Sequence, residues 1–193
     1  IGGFDVLQTV TLMAEAQKLA ETVVRLNNKQ KMLQKKKPIT EQEALQKLSA
    51  LCARAEHSSG EMLEKMRRWQ LSEDARERVL DRLIDEKFVD DERFARLFVS
   101  EKIRFDRWGR RKIEQALYQK GVASDISRRV LDEVDDEAYV VELKKLIAAK
   151  RRSVQAESDY EMRAKLTKYA LGRGFGYEVI RRCIDGADEL LED

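Results

Sequence analysis

The side chains that could carry chemistry in this sequence are few, and each has a structural use at its position. His57 is the one histidine of the chain and lies in AEHSSGEM, between two predicted helices. A metal site would need carboxylate or thiolate partners at ligand spacing, and none accompany it. A general base would need a nucleophile within reach, but Ser58 and Ser59 stand where helix N-caps are expected. We therefore interpret His57 as part of an interhelical turn.

Two further patterns that resemble catalytic motifs also favour structure. Asp90 and Asp91 open a predicted helix, where carboxylates oppose the positive end of the helix dipole; we predict that Asp90 is the cap and Asp91 lies in the first turn. The segment GRGFG, residues 172–176, lacks the lysine and the serine or threonine of a Walker loop. It is interpreted as a helix C-terminus. The sequence therefore predicts a protein that is not an enzyme and uses no cofactor or metal.

The remaining candidates for function are two clusters of basic residues. The first surrounds Trp108 and consists of Lys102, Arg104, Arg107, Arg110, Arg111 and Lys112, and the second consists of Lys144, Lys145, Lys150, Arg151 and Arg152. Like charges this close repel one another unless something offsets them, and phosphate or an acidic protein surface would do so. A solvated helix face is the alternative interpretation. Trp108 either stacks on a base or fills the junction between helices, and we favour the second.

The composition favours a helical protein of one or two small domains. Charged residues make up 38% of the 193 residues, and 1 proline and 9 glycines leave few positions that interrupt a helix. No run approaches the roughly 18 apolar residues that span a bilayer, and Cys52 and Cys183 show no metal-ligand spacing. We expect a reduced, cytoplasmic protein without membrane contact. The net charge of +2 hides acidic segments at 71–92 and 131–137 and basic segments at 31–37, 102–112 and 144–152.

The first 36 residues are predicted to be separate from the rest. They begin at Ile1, lack the layout of a secretory signal and carry apolar residues at helical spacing from Val6 to Val24. Met32 would serve as an alternative start. We expect residues 1–36 to be either a helical extension or a non-native appendage.

From Glu41 onward the apolar residues follow a helical pattern that occurs three times. The copies align on Leu71, Val122 and Phe175, which close the segments WQL, KGV and RGF. Glycine precedes the last residue in two copies, as suits a left-handed helix C-terminus, whereas Gln70 takes that place in the first. Each copy has two matching apolar positions upstream: Met62 and Met66 in the first, Ile113 and Leu117 in the second, and Leu166 and Ala170 in the third. Each also has four matching positions downstream: Ala75, Val79, Leu80 and Leu83 in the first, Ile126, Val130, Leu131 and Val134 in the second, and Val179, Cys183, Ile184 and Ala187 in the third.

Each copy predicts three short helices, the last two joined by a tight turn in the manner of a helix-turn-helix. We place repeat 1 at 39–88, repeat 2 at 89–135 and repeat 3 at 136–190. The apolar stripe of one repeat is too small to be buried alone, so stacking of neighbours is expected. The sequence therefore predicts an all-α protein, an elongated tandem array of three three-helix repeats, which we expect to be a monomer.

The motifs of the three repeats resemble those of a known family, the RecX regulatory proteins. The stretch FVDDERFARLFVSEKIR, followed by GRRKIEQALYQKGV, is similar to the family's signature, and the resemblance extends from about Ile39 to Ala187. Gln70 departs from the pattern, which usually has glycine there. The residues that match are Asp90, Asp91, Arg93, Phe94, Ala95, Gly109, Lys112, Ile113, Leu117, Lys120, Gly121 and Val122, together with Arg54, Glu56, His57 and Ser58 in repeat 1 and RGFGYEVIRRCI, residues 173–184, in repeat 3.

The resemblance implies a protein that binds the filament of the RecA recombinase on single-stranded DNA. There it would restrain ATP hydrolysis, strand exchange and the co-protease activity that triggers the SOS response. Single-stranded or duplex DNA is a further partner that the two basic clusters would accommodate. A DNA-binding helix-turn-helix protein that acts without RecA is the alternative, and a helical scaffold for another partner is a third interpretation.

Overall fold

The computed structural model describes residues 6–33 and 39–185, and within these the side chains of residues 13–27 and 39–185. The chain divides into two compact units, Ile1–Pro38 and Ile39–Asp193. The first unit contains one helix, α1 (Val6–Leu33), whose described side chains are exposed. The proposed start at Met32 and the basic segment 31–37 lie outside the described side chains, as does Ala187.

The second unit is built from helices alone over residues 39–185, as the sequence predicts. These are α2 (Glu41–Cys52), α3 (Ser59–Arg68), α4 (Glu73–Asp85), α5 (Asp91–Arg104), α6 (Arg110–Gln119), α7 (Ser124–Asp132), α8 (Asp136–Arg151), α9 (Asp159–Gly172) and α10 (Tyr177–Asp185). They form three groups of three, α2–α4, α5–α7 and α8–α10. The prediction of a tandem three-helix array is confirmed.

Short polar side chains begin most of these helices. Thr40 and Ser58 each form a capping box, in which the hydroxyl accepts the backbone N–H three residues on and a glutamate at that position returns a bond to the cap. Asp90 caps α5, and Asp91 is the first residue of that helix, as predicted. The expectation for Ser59 is wrong: it is the first residue of α3, and its hydroxyl donates to the Asp91 carboxylate at 2.5 Å instead of capping.

The second helix of every repeat ends in the same turn. Gln70, Gly121 and Gly174 all adopt a left-handed conformation, with φ of 62°, 73° and 88°. In each case the next residue donates its backbone N–H to a carbonyl five residues earlier, at 3.1–3.2 Å, which is the Schellman arrangement. Gln70 therefore makes the turn that glycine makes elsewhere, and its exposed position leaves room for a side chain.

The apolar positions predicted from the repeat form two separate clusters. The first cluster lies in repeat 1 apart from Val89, the first residue that we placed in repeat 2; it spans Leu45 to Val89 and includes Met62 and Met66. Repeats 2 and 3 share the other, which spans Phe94 to Ile184. Both cysteines are free, with Cys183 buried and Cys52 packed against the first cluster, and burial raises the pKa of both thiols.

Repeats 2 and 3 meet where the start of α6 packs on the turn that ends α9. The N–H of Gly109 donates to the carbonyl of Arg173 at 2.9 Å, and the N–H of Arg111 donates to the carbonyl of Gly174 at 3.1 Å. A Cβ on Gly109 would overlap the backbone of Gly174, and one on Gly174 would lie 2.5 Å from Lys112 Cβ. Two helix ends thus approach at backbone distance, which requires glycine.

Repeats 1 and 2 meet in the corresponding way, but through polar groups. The Ser58 hydroxyl donates to the Lys120 carbonyl at 2.6 Å, and a Cβ on Gly121 would lie 2.7 Å from Gly60 Cα. Lys120 Nζ donates to the Glu61 carboxylate at 2.5 Å, which also meets His57 Nδ1 at 3.1 Å. His57 therefore lies in an interhelical turn, as predicted, and belongs to the junction between two repeats.

Candidate partner-binding surface

The first basic cluster occupies the end of α5, the turn that follows and the start of α6. Arg107 lies in the turn with φ of 52°, and the N–H of Trp108 donates to the carbonyl of Lys102 at 2.9 Å. This tight reversal, followed by the backbone contact of Gly109 with repeat 3, separates side chains that are neighbours in sequence. Several of them point to different carboxylates of the chain.

Lys102 is held inside the fold. Its Nζ donates to the Asp106 carboxylate at 2.8 Å, and this hydrogen bond raises the pKa of the amine. The same group lies 5.2 Å from the Phe98 ring and 5.3 Å from the Trp108 ring, both cation–π distances. With only 18% of its side chain exposed, Lys102 stabilises the turn and offers little surface to a partner.

Trp108 fills the junction between helices, which is the interpretation favoured from the sequence. Its partly buried ring packs against the cluster shared by repeats 2 and 3. Lys112 Nζ lies 4.4 Å from the centre of the ring. Because two lysines and the core occupy its surroundings, the indole is engaged within the chain.

Two arginines of the cluster tie the turn to neighbouring helices. Arg110 pairs with Asp132 and donates to the carbonyl of Leu131 at 3.0 Å, which joins the start of α6 to the end of α7. Arg107 Nε lies 3.4 Å from the carboxylate of Glu142 in α8. The charge of this segment was expected to be offset by phosphate or by a partner; much of it is offset by the chain's own carboxylates.

The second basic cluster divides along α8. Lys145 donates to Glu142 at 2.6 Å and so shares a carboxylate with Arg107 of the first cluster. The other members lie elsewhere. Lys144 is exposed, and Lys150 Nζ lies 5.3 Å from the centre of the Tyr169 ring. Arg152 Nε donates to the carbonyl of Ala148 at 3.3 Å, and Arg151 borders a small pocket with Asp159 and Ile184. Among residues 39–185, the structure brings the two clusters together at Glu142.

A groove of about 550 Å³ lies at this meeting point, between α5, α7 and α8. Its lining is apolar at the centre and charged at the rim. The lining residues are Arg96, Val99, Ser100, Ile103, Arg104, Val130, Glu133, Val134, Glu137, Ala138, Val141 and Glu142. Most of the rim charges are paired, as in Arg96 with Glu133 and Glu137 with Arg182.

Arg104 and Arg111 are the members of the first cluster that remain exposed. Among the described residues, no ion pair reaches either guanidinium. The basic surface that a partner would meet is therefore smaller than the sequence indicates. It contains Arg104 and Arg111 directly, and Arg107 and Lys145 as two cations on one carboxylate.

Phe105 is the residue of this region that sequence reasoning missed. It caps the C-terminus of α5 and is 80% exposed, whereas Phe94 and Phe98 stack on each other at 5.6 Å and pack in or against the core. A signal was present, because Phe105 lies off the helical stripe of Ala95, Val99 and Ile103. That spacing directs it away from the core.

Two structural features are absent from the described part of the chain. No group of three or more histidine, cysteine, aspartate and glutamate side chains is arranged there to hold a metal ion. No helix among those residues is long and apolar enough to cross a membrane. The described helices define a helical repeat protein.

Family models identify which repeats these are. Residues 90–131 match the second three-helix domain of RecX, and residues 137–184 match its third three-helix domain. These two ranges correspond to α5–α7 and α8–α10. The boundaries of the three repeats that we placed from the sequence stay predictions.

Full-length relatives support the same assignment. A regulatory protein RecX of Prosthecochloris aestuarii is 36% identical over 137 residues, which cover 70% of this chain and 85% of that protein. One of Chlorobium phaeobacteroides is 31% identical over 135 residues, 70% of this chain and 87% of that protein. The chain therefore belongs to the RecX family, whose curated members carry the name of regulatory proteins.

The match to a third relative extends into the first 36 residues of this chain. The regulatory protein RecX of Lactobacillus johnsonii is 32% identical over 182 residues, 94% of this chain, and the match covers 66% of that protein. An alignment of that length includes most of residues 1–36. Similarity to the family thus reaches into the segment that the sequence motifs had left outside it.

Solved structures show the same fold. The crystal structure of RecX from Lactobacillus salivarius superposes with a TM-score of 0.70 at 22% sequence identity, and the match covers 77% of this chain and 96% of that one. At this identity the likeness supports the arrangement of helices and nothing finer.

Proposed function

We propose that this protein binds the RecA filament on single-stranded DNA and restrains its ATP hydrolysis, strand exchange and co-protease activity. Membership of the RecX family is the observation that carries the proposal. Its signature in repeat 2 has the structural roles described above, from the cap at Asp90 to the turn at Gly121.

The repeat architecture supports a partner that is itself repetitive. Repeats 2 and 3 share one core, so the surfaces of α5, the following turn and α8 hold a constant spacing. The cations Arg107 and Lys145 come from different repeats and meet at Glu142. A filament that presents the same subunit surface at regular intervals would be met by such an array at more than one point.

The proposed mode of action is binding without chemistry. A ligand shifts a filament between states only by its difference in affinity for them. Preference for a form with low ATP turnover would lower hydrolysis and strand exchange together. The proposed contact surface consists of the exposed residues Arg104, Arg111, Lys144 and Lys145, together with the half-buried Arg107, which shares Glu142 with Lys145.

Addition of the protein to RecA, ATP and single-stranded DNA at less than one molecule per RecA subunit tests the proposal. We expect ATP hydrolysis to fall and the filament to shorten or dissociate. The double variant Arg104→Ala/Lys145→Ala should need roughly tenfold more protein for the same effect, since exposed charge contacts contribute up to about 1 kcal/mol each.

The matched control is Arg67→Ala/Arg68→Ala, which removes two exposed arginines of α3 that pair with Glu64. This variant should act like the unaltered protein. If the unaltered protein changes neither hydrolysis nor filament lifetime, the proposed function is wrong. Tight binding to one duplex sequence without RecA would instead support the alternative of a DNA-binding helix-turn-helix protein.

A further inference from the structure

The turn between α5 and α6 presents one aromatic ring to solvent. Phe105 is 80% exposed, while Trp108, three residues on, packs against the core and lies beneath Lys112. Buried and exposed roles are thus divided between the two aromatic residues of the turn. The accessible ring is the one that the sequence had not singled out.

Contacts from both sides fix the backbone that carries Phe105. On the side of repeat 2, the Phe105 N–H donates to the carbonyl of Glu101 at 2.9 Å, and Lys102 holds the Asp106 carboxylate. On the side of repeat 3, Arg173 Nη2 donates to the carbonyl of Asp106 at 2.6 Å. A ring on a fixed backbone loses less conformational entropy when it is covered than a ring on a mobile loop.

Two arginines lie close to Phe105 in the sequence. Arg104 precedes it, is exposed, and has no ion pair among the described residues. Arg107 follows it and shares the Glu142 carboxylate with Lys145, so two cations there face one anion. An exposed aromatic ring with basic residues near it in the chain is a combination by which proteins hold unpaired nucleotides, with the base stacked and the phosphate neutralised.

A protein partner would call for a different environment. Aromatic hot spots in protein interfaces lie within a ring of other contacts that exclude water. Phe105 is instead flanked in sequence by Arg104 and Asp106, and it does not line the apolar groove. Asp106 is held by Lys102, so the exposed Arg104 and the isolation of the ring from apolar neighbours favour a nucleic acid.

We propose that Phe105 is a stacking site for an unpaired base of single-stranded nucleic acid, with Arg104 as the contact to an adjacent phosphate. The proposed function gives this site its setting, because a RecA filament carries single-stranded DNA. The contact itself involves DNA and this chain alone and is tested without RecA.

The test is the affinity of the full chain for a fluorescein-labelled oligothymidylate, measured by anisotropy at several salt concentrations. Phe105→Ala should weaken binding on the order of tenfold. Arg104→Ala should weaken it and make the slope of log affinity against log salt shallower by about 0.7. Because both residues are exposed, the melting temperature should not change, and circular dichroism checks this.

Tyr160→Ala is the matched control. Tyr160 is 84% exposed but lies between Asp159 and Glu161, where negative charge disfavours phosphate. Its loss should leave the affinity unchanged. An oligonucleotide with abasic sites should bind the unaltered protein about as weakly as oligothymidylate binds Phe105→Ala.

Three outcomes would overturn the proposal: no measurable binding of oligothymidylate, equal binding by Phe105→Ala, or equal binding of the abasic strand. If Phe105→Ala loses inhibition of RecA but keeps its affinity for DNA, the ring contacts protein and the proposal is wrong. In that case the proposed function would still stand. Loss of DNA binding with unchanged inhibition of RecA would leave the stacking site in place and separate it from the proposed function.

Discussion

At the residue scale, the charges of this protein are organised by pairs that join distant parts of the chain. Arg107 and Lys145 belong to different repeats and meet at Glu142. Arg93 Nε donates to Glu56 at 2.7 Å, which links the start of α5 to the loop before α3. Such pairs add modest stability when exposed, but they decide which cations remain available to a partner.

Tyr139 allows a test of what a buried hydroxyl without a hydrogen-bond partner costs in stability. Its hydroxyl is buried in α8 and has no hydrogen-bond partner among the described residues, and burial raises the pKa of the phenol to about 12. A buried polar group without a partner loses its hydrogen bonds to water and gains none in the fold. Tyr139→Phe should therefore raise the free energy of unfolding by about 1 kcal/mol. Urea denaturation measures this.

Tyr118→Phe is the comparison, since Tyr118 is exposed and its hydroxyl keeps its water. That change should leave the urea midpoint where it is. A lower midpoint for Tyr139→Phe would show that the hydroxyl has a partner, such as a buried water, that holds it in place.

At the element scale, much of the local structure could be predicted from the sequence and the junctions could not. Caps such as Asp90 and the turn at Gly121 depend on a few adjacent residues, so their signals are local. Gln70 forms the same turn without a glycine, so the sequence indicates that turn only weakly although the structure contains it. The contact between Gly60 and Gly121 depends on how two repeats stack, and no spacing within one repeat encodes it.

The residue types of the candidate site could be predicted from the sequence, whereas the pairing of its charges within the chain could not. The clusters around Trp108 and Lys145 were found because their charges are close in sequence. The pairing of Arg110 with Asp132 and of Arg107 with Glu142 depends on how α6, α7 and α8 pack, and it removes part of the predicted surface.

The junction between repeats 1 and 2 should respond to acid. Burial by itself would raise the pKa of Glu61, but hydrogen bonds from Lys120 and His57 outweigh it, and the pKa is lower than the ordinary value of 4.5. A carboxylate with a depressed pKa stabilises the fold fully above its unfolded pKa and loses that contribution as the pH falls through its folded value. Glu61→Gln should therefore cost on the order of 2 kcal/mol at neutral pH.

The difference between Glu61→Gln and the unaltered protein should shrink as the pH falls below the ordinary glutamate pKa and through the lower pKa of Glu61 in the fold. Urea unfolding at pH 7 and pH 3.5 measures the two differences. Glu64→Gln is the control, because the ion pairs of Glu64 are with two exposed arginines of its own helix. A difference for Glu61→Gln that stays constant with pH would contradict the assigned role.

At the scale of the whole helical unit, the two apolar clusters divide the stability between repeat 1 and the other two. Leu48 is fully buried in the first cluster, and Leu143 is fully buried in the second. The contacts between repeats 1 and 2 include polar and glycine backbone contacts, whereas repeats 2 and 3 share their core. In an array with nearest-neighbour coupling, weak junctions separate regions that open independently.

A pair of substitutions tests this division. Leu48→Ala leaves a cavity in the first cluster and should lower the free energy of opening of α2–α4 by roughly 2–5 kcal/mol. Amide hydrogen exchange should then show faster exchange in residues 41–85 and little change in residues 91–185. Leu143→Ala should accelerate exchange in α5–α7 and α8–α10 alike, because both groups contribute to its cluster. Faster exchange throughout the unit after Leu48→Ala would show that the polar junction couples all three repeats as strongly as a shared core does.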